Sequence, residues 1–344
     1  FFFKQKTAYE ISTRDWSSDV CSSDLAEVLI AQHHWPVWGT ARIQTFLGHQ
    51  RDAYKFLHDQ TVRLMNAGYT GPEIAEQIHM PDSLALDWST HFFYGNLKHN
   101  VKAIYQRYLG YYDGNPANLD ALPPVAAARK SVDYMGGAEA VLQRARQDFA
   151  RGEYRWVAQV AEQVVYADPQ NQAARQLAAD AFEQLGYQCE SATARNAYLQ
   201  GARELRLGVP RVSGPGTVSP DLVRALPLEM FFDLLGVRLN GDRAAGHHAV
   251  LNWQFTDTGE TATLTLENSA LSTRFGPADP RADATVKLAR ATLDRVTLKE
   301  ITFAQAFQQG LLEVAGAGAK VQELMGLLDM PPPSFTLVEP RPAP

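Results

Sequence analysis

The sequence predicts a mainly α-helical part followed by an α+β domain, and three observations carry that reading. Apolar residues recur at three- and four-residue steps from about residue 41 to 207. A linker dominated by Gly, Pro and Ser, "GVPRVSGPGTVSP", fills residues 208–220. Beyond it, from residue 249, the apolar period drops to two. With 344 residues, 45% of them hydrophobic, the chain can enclose two or three cores. The expected divisions are 1–25, 26–40, 41–212 and 213–344.

Residues 1–25, "FFFKQKTAYEISTRDWSSDVCSSDL", have no initiator Met and no basic-then-apolar order, so they do not read as a signal peptide. They resemble translated adapter sequence and are expected to lie outside the fold. Setting aside their three cations and four anions takes the net charge from −6 to −5. Next, Val28-Leu29-Ile30-Ala31 reads as a short buried strand, and Trp35, Pro36 and Gly39 as a turn. His33 and His34 stand between them. The pair suits a catalytic position fixed by a strand and open to solvent, or two imidazoles packed under tryptophans.

The helices follow in order. "ARIQTFLGHQRDAYKFLHDQTVRLMNAG" places Ile43, Phe46, Leu47, Tyr54, Leu57 and Leu64 at helical spacing, with Gly68 as C-cap. "TGPEIAEQIHMP" begins with Thr70 or Gly71 as cap and Pro72 in the first turn. A helix centred on residues 96–110 ends in a Gly- and Asn-rich turn. "RGEYRWVAQVAEQVVYADPQNQAARQLAADAFEQLGYQ" is a helix, an Asp-Pro turn and a helix in the style of a tetratricopeptide unit. Only one clear copy is present, which favours a helical hairpin inside a larger all-α domain over a solenoid adaptor. After the linker, Leu251, Trp253 and Phe255 alternate with polar residues, as do Ala262, Leu264 and Leu266, so an antiparallel hairpin is expected. Further strands are expected at 271–275, 284–290 and 311–316, with helices at 221–236, 291–299, 303–309 and 317–328. A small antiparallel sheet with helices on one face is an α+β domain.

Several functions find no support. The negative charge gives no electrostatic reason to expect nucleic acid. No apolar stretch approaches the roughly 20 residues of a membrane span. Two cysteines make no disulfide framework. The nine histidines include no His-x-His or His-Glu-x-x-His, and no phosphate-binding loop or nucleophile elbow occurs. His49, His58 and His79 fall on helices without a partner at useful spacing, and His247-His248 reads as a solvated turn. The densest polar stretch is "YGNLKHNVKAIYQRYLGYYDGNP". There Tyr105 and Tyr108 share a helix face, and Asn100 and Arg107 a neighbouring one. Such donors suit an oxyanion such as sulfate or phosphate, and equally a helix–helix interface.

"HHWPVWG", "HNVKAIYQRYLGYYDGNPANL" and the helical-then-α+β order together resemble the alkyl sulfatases of the metallo-β-lactamase superfamily, from about residue 26 to the C-terminus. The resemblance implies a metal-binding domain with two Zn2+ ions, a helical dimerisation domain, and a C-terminal domain similar to sterol-carrier proteins. It implies hydrolysis of linear primary alkyl sulfates such as dodecyl sulfate by a homodimer, and periplasmic or secreted localisation. Carried over, "AQHHWP" matches the last zinc ligand, His33 ahead of His34, and the tyrosines match a substrate contact, Tyr105 ahead of Tyr108. The remaining ligand cluster, His-x-His-x-Asp-His, is absent. The chain is therefore expected to be a C-terminal fragment that keeps at most one ligand and is inert alone. The competing expectation is a non-catalytic dimeric module that binds alkyl chains or lipid.

Overall fold

The computed structural model describes residues 26–30, 35–210, 219–330, 332 and 334–341. These divide into two compact units: the first runs to Pro210 and includes the chain again from Thr336, and the second spans Arg211–Phe335. Among the described residues, no helix is long and apolar enough to cross a membrane.

The first unit opens with a two-stranded hairpin, β1 (Val28–Leu29) against β2 (Val37–Trp38), antiparallel. The expected buried strand is therefore short and peripheral: Val28 is exposed and Ile30 is 77% exposed, while Ala31 lies outside the described residues. Val37 is the residue of the hairpin that buries fully, against Ile43 and Phe46 of α1 (Thr40–Asn66). Gly39 makes the turn into α1 with φ of +89°, a conformation that costs other residues energy. Helix α2 (Gly71–Gln77) begins with a capping box in which Glu73 accepts from the Thr70 backbone N–H at 2.8 Å. After α3 (Asp82–Ala85), α4 (Leu97–Leu109) is capped by Asn96, whose side chain accepts from His99 N–H. Leu57, Leu64, Ile74, Ile78, Val101 and Tyr105 close the core that joins α1, α2 and α4.

Five more helices complete the unit: α5 (Pro124–Tyr134), α6 (Ala138–Ala150), α7 (Tyr154–Ala167), α8 (Gln172–Tyr187) and α9 (Ala192–Leu207). The Asp-Pro hairpin read from the sequence is α7–α8. Alanine makes its packing close: Ala174, Ala178, Ala179 and Ala181 are buried on α8, and a Cβ on Gly186 would stand 3.0 Å from Leu199 of α9. The two cores of the unit are tied together at the start of α9. Ser191 Oγ donates to Tyr94 O at 3.0 Å, and Ala192 N–H to Phe93 O at 2.8 Å. The carboxylate of Glu76 on α2 accepts from Arg155 on α7 and Lys98 on α4, and these two donors lower its pKa to about 2.

The last described residues return to this unit. Glu204 of α9 is buried and accepts backbone N–H groups of Leu337 at 2.7 Å and Val338 at 3.1 Å. Arg175 of α8 forks onto both carboxylate oxygens of Glu339 at 2.6 and 2.9 Å. Val338 packs on the α6–α9 core. Residues 336–341 thus pack with the helices.

In the second unit, α10 (Pro220–Ala225) and α11 (Leu228–Arg238) precede the sheet. Strands β3 (Ala249–Phe255), β4 (Thr261–Glu267), β5 (Ala270–Phe275), β6 (Ala284–Leu288) and β7 (Leu312–Gly316) order as β5-β4-β3-β6-β7. Helices α12 (Arg290–Thr297), α13 (Phe303–Gln308) and α14 (Gly318–Gly326) fill the remaining connections. The expected antiparallel sheet is in fact mixed, since β3 and β6 are parallel with Leu251 opposite Ala284. A loop, residues 276–283, carries the chain across the sheet, and Asn252 anchors it. Asn252 Nδ2 donates to Asp279 O at 2.9 Å, while Asn252 Oδ1 accepts from Asp279 N–H and Thr263 Oγ1. Asn252 and Thr263 are consequently buried, though alternation places them on the outer face. On α11, Leu228, Phe231, Phe232 and Leu235 follow helical spacing onto Trp253 and Phe255, so the inner face is a packed core.

Candidate functional site

Two polar constellations stand on α1. Near its start, a cavity of about 260 Å³ is lined by Arg42, Phe46, His49, Asp87 and Ser89 among others. His49 Nδ1 lies 3.0 Å from Asp87 Oδ2, and the Ser89 N–H and hydroxyl donate to Asp87 Oδ1. Burial pushes the Asp87 carboxyl up, but the donors from Ser89 and His49 outweigh it and leave the group below its ordinary range.

Further along, Asp59 Oδ1 meets His58 Nδ1 at 2.9 Å, and His58 Nε2 meets the Tyr108 hydroxyl at 2.8 Å. Lys55 Nζ donates to the other oxygen of Asp59 at 2.7 Å. Donation by Lys55, then by His58, holds the Asp59 carboxyl below its usual value. The result is a carboxylate–imidazole–phenol relay that ends on an exposed hydroxyl.

Among the residues named from sequence, burial separates the two tyrosines. Tyr105 is buried, with its ring against Gly71, where a Cβ would come within 3.2 Å. Tyr108 is half exposed. Of the pair, Tyr108 is the more exposed. His33 and His34 lie outside the described residues. The histidines read as partnerless do have partners: His49 and His58 as above, and His79 against the Gln77 carbonyl at 3.0 Å. His247, read as solvated, pairs with Glu323 on α14. The signal missing from sequence was tertiary, since Asp87 and Tyr108 stand 38 and 50 residues from their histidines. Among the described residues, no three His, Cys, Asp or Glu side chains gather where they could hold a metal ion, so they do not fit a binuclear zinc site.

A second cavity, in the second unit, is an open groove of about 870 Å³. Leu226, Pro227, Leu228, Phe275 and Pro277 supply apolar wall, Arg224 and Arg290 cations, and Glu229 and Glu260 carboxylates.

Residues 70–208 match the alkyl sulfatase dimerisation model, and residues 216–340, the second unit with the start of the tail, match the alkyl sulfatase C-terminal model. By these two domains the chain belongs with the alkyl sulfatases. An alkyl/aryl-sulfatase of Saccharomyces cerevisiae is 53% identical over 91% of this chain, which spans 48% of that protein. An (R)-specific secondary-alkylsulfatase of Pseudomonas sp. is 48% identical over 92% of this chain and 48% of its own length. The solved structure of a stereoselective inverting sec-alkylsulfatase from Pseudomonas sp. superimposes with a TM-score of 0.92 at 46% identity, covering 97% of this chain and 53% of that one. The chain thus spans about half the length of the alkyl sulfatases it matches. The dimerisation match takes in Tyr108 but starts after His58, so the relay joins the dimerisation domain to the helix before it.

Proposed function

We propose that this chain serves a zinc-dependent alkyl sulfatase, which hydrolyses sulfate esters of linear alkyl chains such as dodecyl sulfate to alcohol and sulfate. The supporting observation is the similarity of both domains, along nearly the whole described chain, to a sec-alkylsulfatase. Two zinc ions belong to this reading as cofactor. The described residues offer no ligand set for them. On this reading the polypeptide alone is inert, the working enzyme is a homodimer through its helical domain, and it is exported.

The chain's own residues bind and orient. With His58 neutral, the Tyr108 hydroxyl donates to Nε2. With His58 an imidazolium, Nε2–H donates to the phenol oxygen instead, and the phenol proton turns outward to a sulfate oxygen. The groove of the C-terminal domain takes apolar chain, each buried methylene contributing about 0.8 kcal/mol.

Calorimetric titration with hexyl and octyl sulfate, with sulfate release followed in parallel, tests the proposal. Octyl sulfate binds about tenfold tighter than hexyl sulfate. Tyr108→Phe weakens both by a similar factor, roughly tenfold, because it removes one hydrogen bond to a charged group. No sulfate is released. Turnover by this polypeptide overturns the inertness, and equal affinity for the two chain lengths overturns the groove.

A further inference from the structure

Between α4 and α5 the chain travels through residues 110–123 without a buried side chain. Leu109, Tyr111, Leu119 and Leu122 are all more than half exposed, Tyr111 by 80%. Such a run of large apolar side chains, uncovered over one continuous segment, marks a contact surface rather than scattered exposure.

The segment nevertheless has a defined shape. Asp113 accepts from the Asn115 N–H at 2.9 Å and from Asn118 Nδ2 at 2.6 Å, and Asn115 Oδ1 accepts from Ala117 N–H at 3.1 Å. Gly110 and Gly114 sit at positive φ, and Pro123-Pro124 stiffens the exit. Among the described residues, the side-chain hydrogen bonds of 110–123 close within the segment. Its composition also fits an interface. "LGYYDGNPANLDALP" has two tyrosines and three leucines, its charged residues are Asp113 and Asp120, and it lacks Lys, Arg and Glu. Interfaces favour Tyr and disfavour Lys and Glu.

What covers it follows from the domain that contains it, since the alkyl sulfatase dimerisation match runs through the whole segment. We infer that residues 109–122 form an arm that lies on a second copy of this chain. The inference rests on the homodimer proposed above and names the part that makes it. In a two-fold dimer each protomer gives one arm and receives one. Because the arm is preformed, little ordering entropy opposes the association.

Sedimentation velocity over a concentration series tests the arm, using the whole chain and two variants. Leu119→Asp with Leu122→Asp places charge on the arm, while Tyr134→Asp changes a 90%-exposed tyrosine of α5 in the same domain. The expected result is a dimeric parent, a dimeric Tyr134→Asp variant, and an arm variant whose dimer dissociation constant rises at least a hundredfold. Hydrogen exchange on the parent does not depend on the variant folding. Amides of 109–123 exchange more slowly above the dimer dissociation constant than below it. A parent that stays monomeric overturns the dimer and the arm together. A dimer that survives the arm substitutions, or exchange in 109–123 that ignores concentration, overturns the arm and leaves the dimer standing. Loss of the dimer in Tyr134→Asp alone moves the interface to α5 and also overturns the arm.

Discussion

Single side chains in this protein are tuned by partners far away in sequence. The Tyr108 phenol depends on His58, and His58 on Asp59, so the exposed end of the relay inherits its hydrogen-bonding direction from the shielded end. Glu162 on α7 is the opposite case. Burial pushes its carboxyl above the ordinary range, and among the described residues it has no ion-pair partner. A folded-state pKa above the unfolded one means stability is complete while the group is protonated and declines as pH rises through the folded value. Glu162→Gln removes that decline. In scanning calorimetry the variant is expected to melt roughly 1–3 °C above the parent at about pH 8, with the gap closing towards about pH 4. A pH-independent difference would contradict it.

At the level of elements, the tail 336–341 behaves as one more packing piece of the helical unit. Without Leu337 and Val338, Glu204 would be a buried carboxylate with no hydrogen-bond donor among the described residues. Removing residues 336–344 is therefore expected to destabilise that unit by about 1–3 kcal/mol, and Glu204→Ala by a similar amount because it orphans the two N–H groups instead. Combining the two should cost little more than either alone, since they break one interaction. Additive losses in denaturant unfolding would show that the tail and Glu204 act separately. This contact could not be read from sequence, because "SFTLVEP" carries no periodicity and its acceptor lies 133 residues away. The strands and most helices were legible, since each encodes its own burial pattern. The parallel partner of β3 was not, because alternation tells which face is buried but not which strand lies alongside. Asn252 looked outward for the same reason: the loop that covers it arrives from beyond β5.

Taken whole, the molecule holds two kinds of independence. The unit from Pro220 to Asp329 has its own core around Phe232, Trp253, Phe255 and Leu324, and all of its strands pair inside it. Excised as residues 219–335, it is expected to unfold in a single cooperative transition, with the near-ultraviolet signal of buried Trp253 lost at the same midpoint as secondary structure. A molten excised unit, without that signal, would show that the packing depends on the helices. The helical unit is not symmetrical with it, because its last piece is encoded after the second unit. That order has a consequence for synthesis on the ribosome. The helices of the first unit emerge before the α+β unit, yet Glu204 receives its two N–H donors only when residues 337 and 338 have followed it. A chain that stops before residue 337 leaves the helical unit unfinished and open to proteolysis.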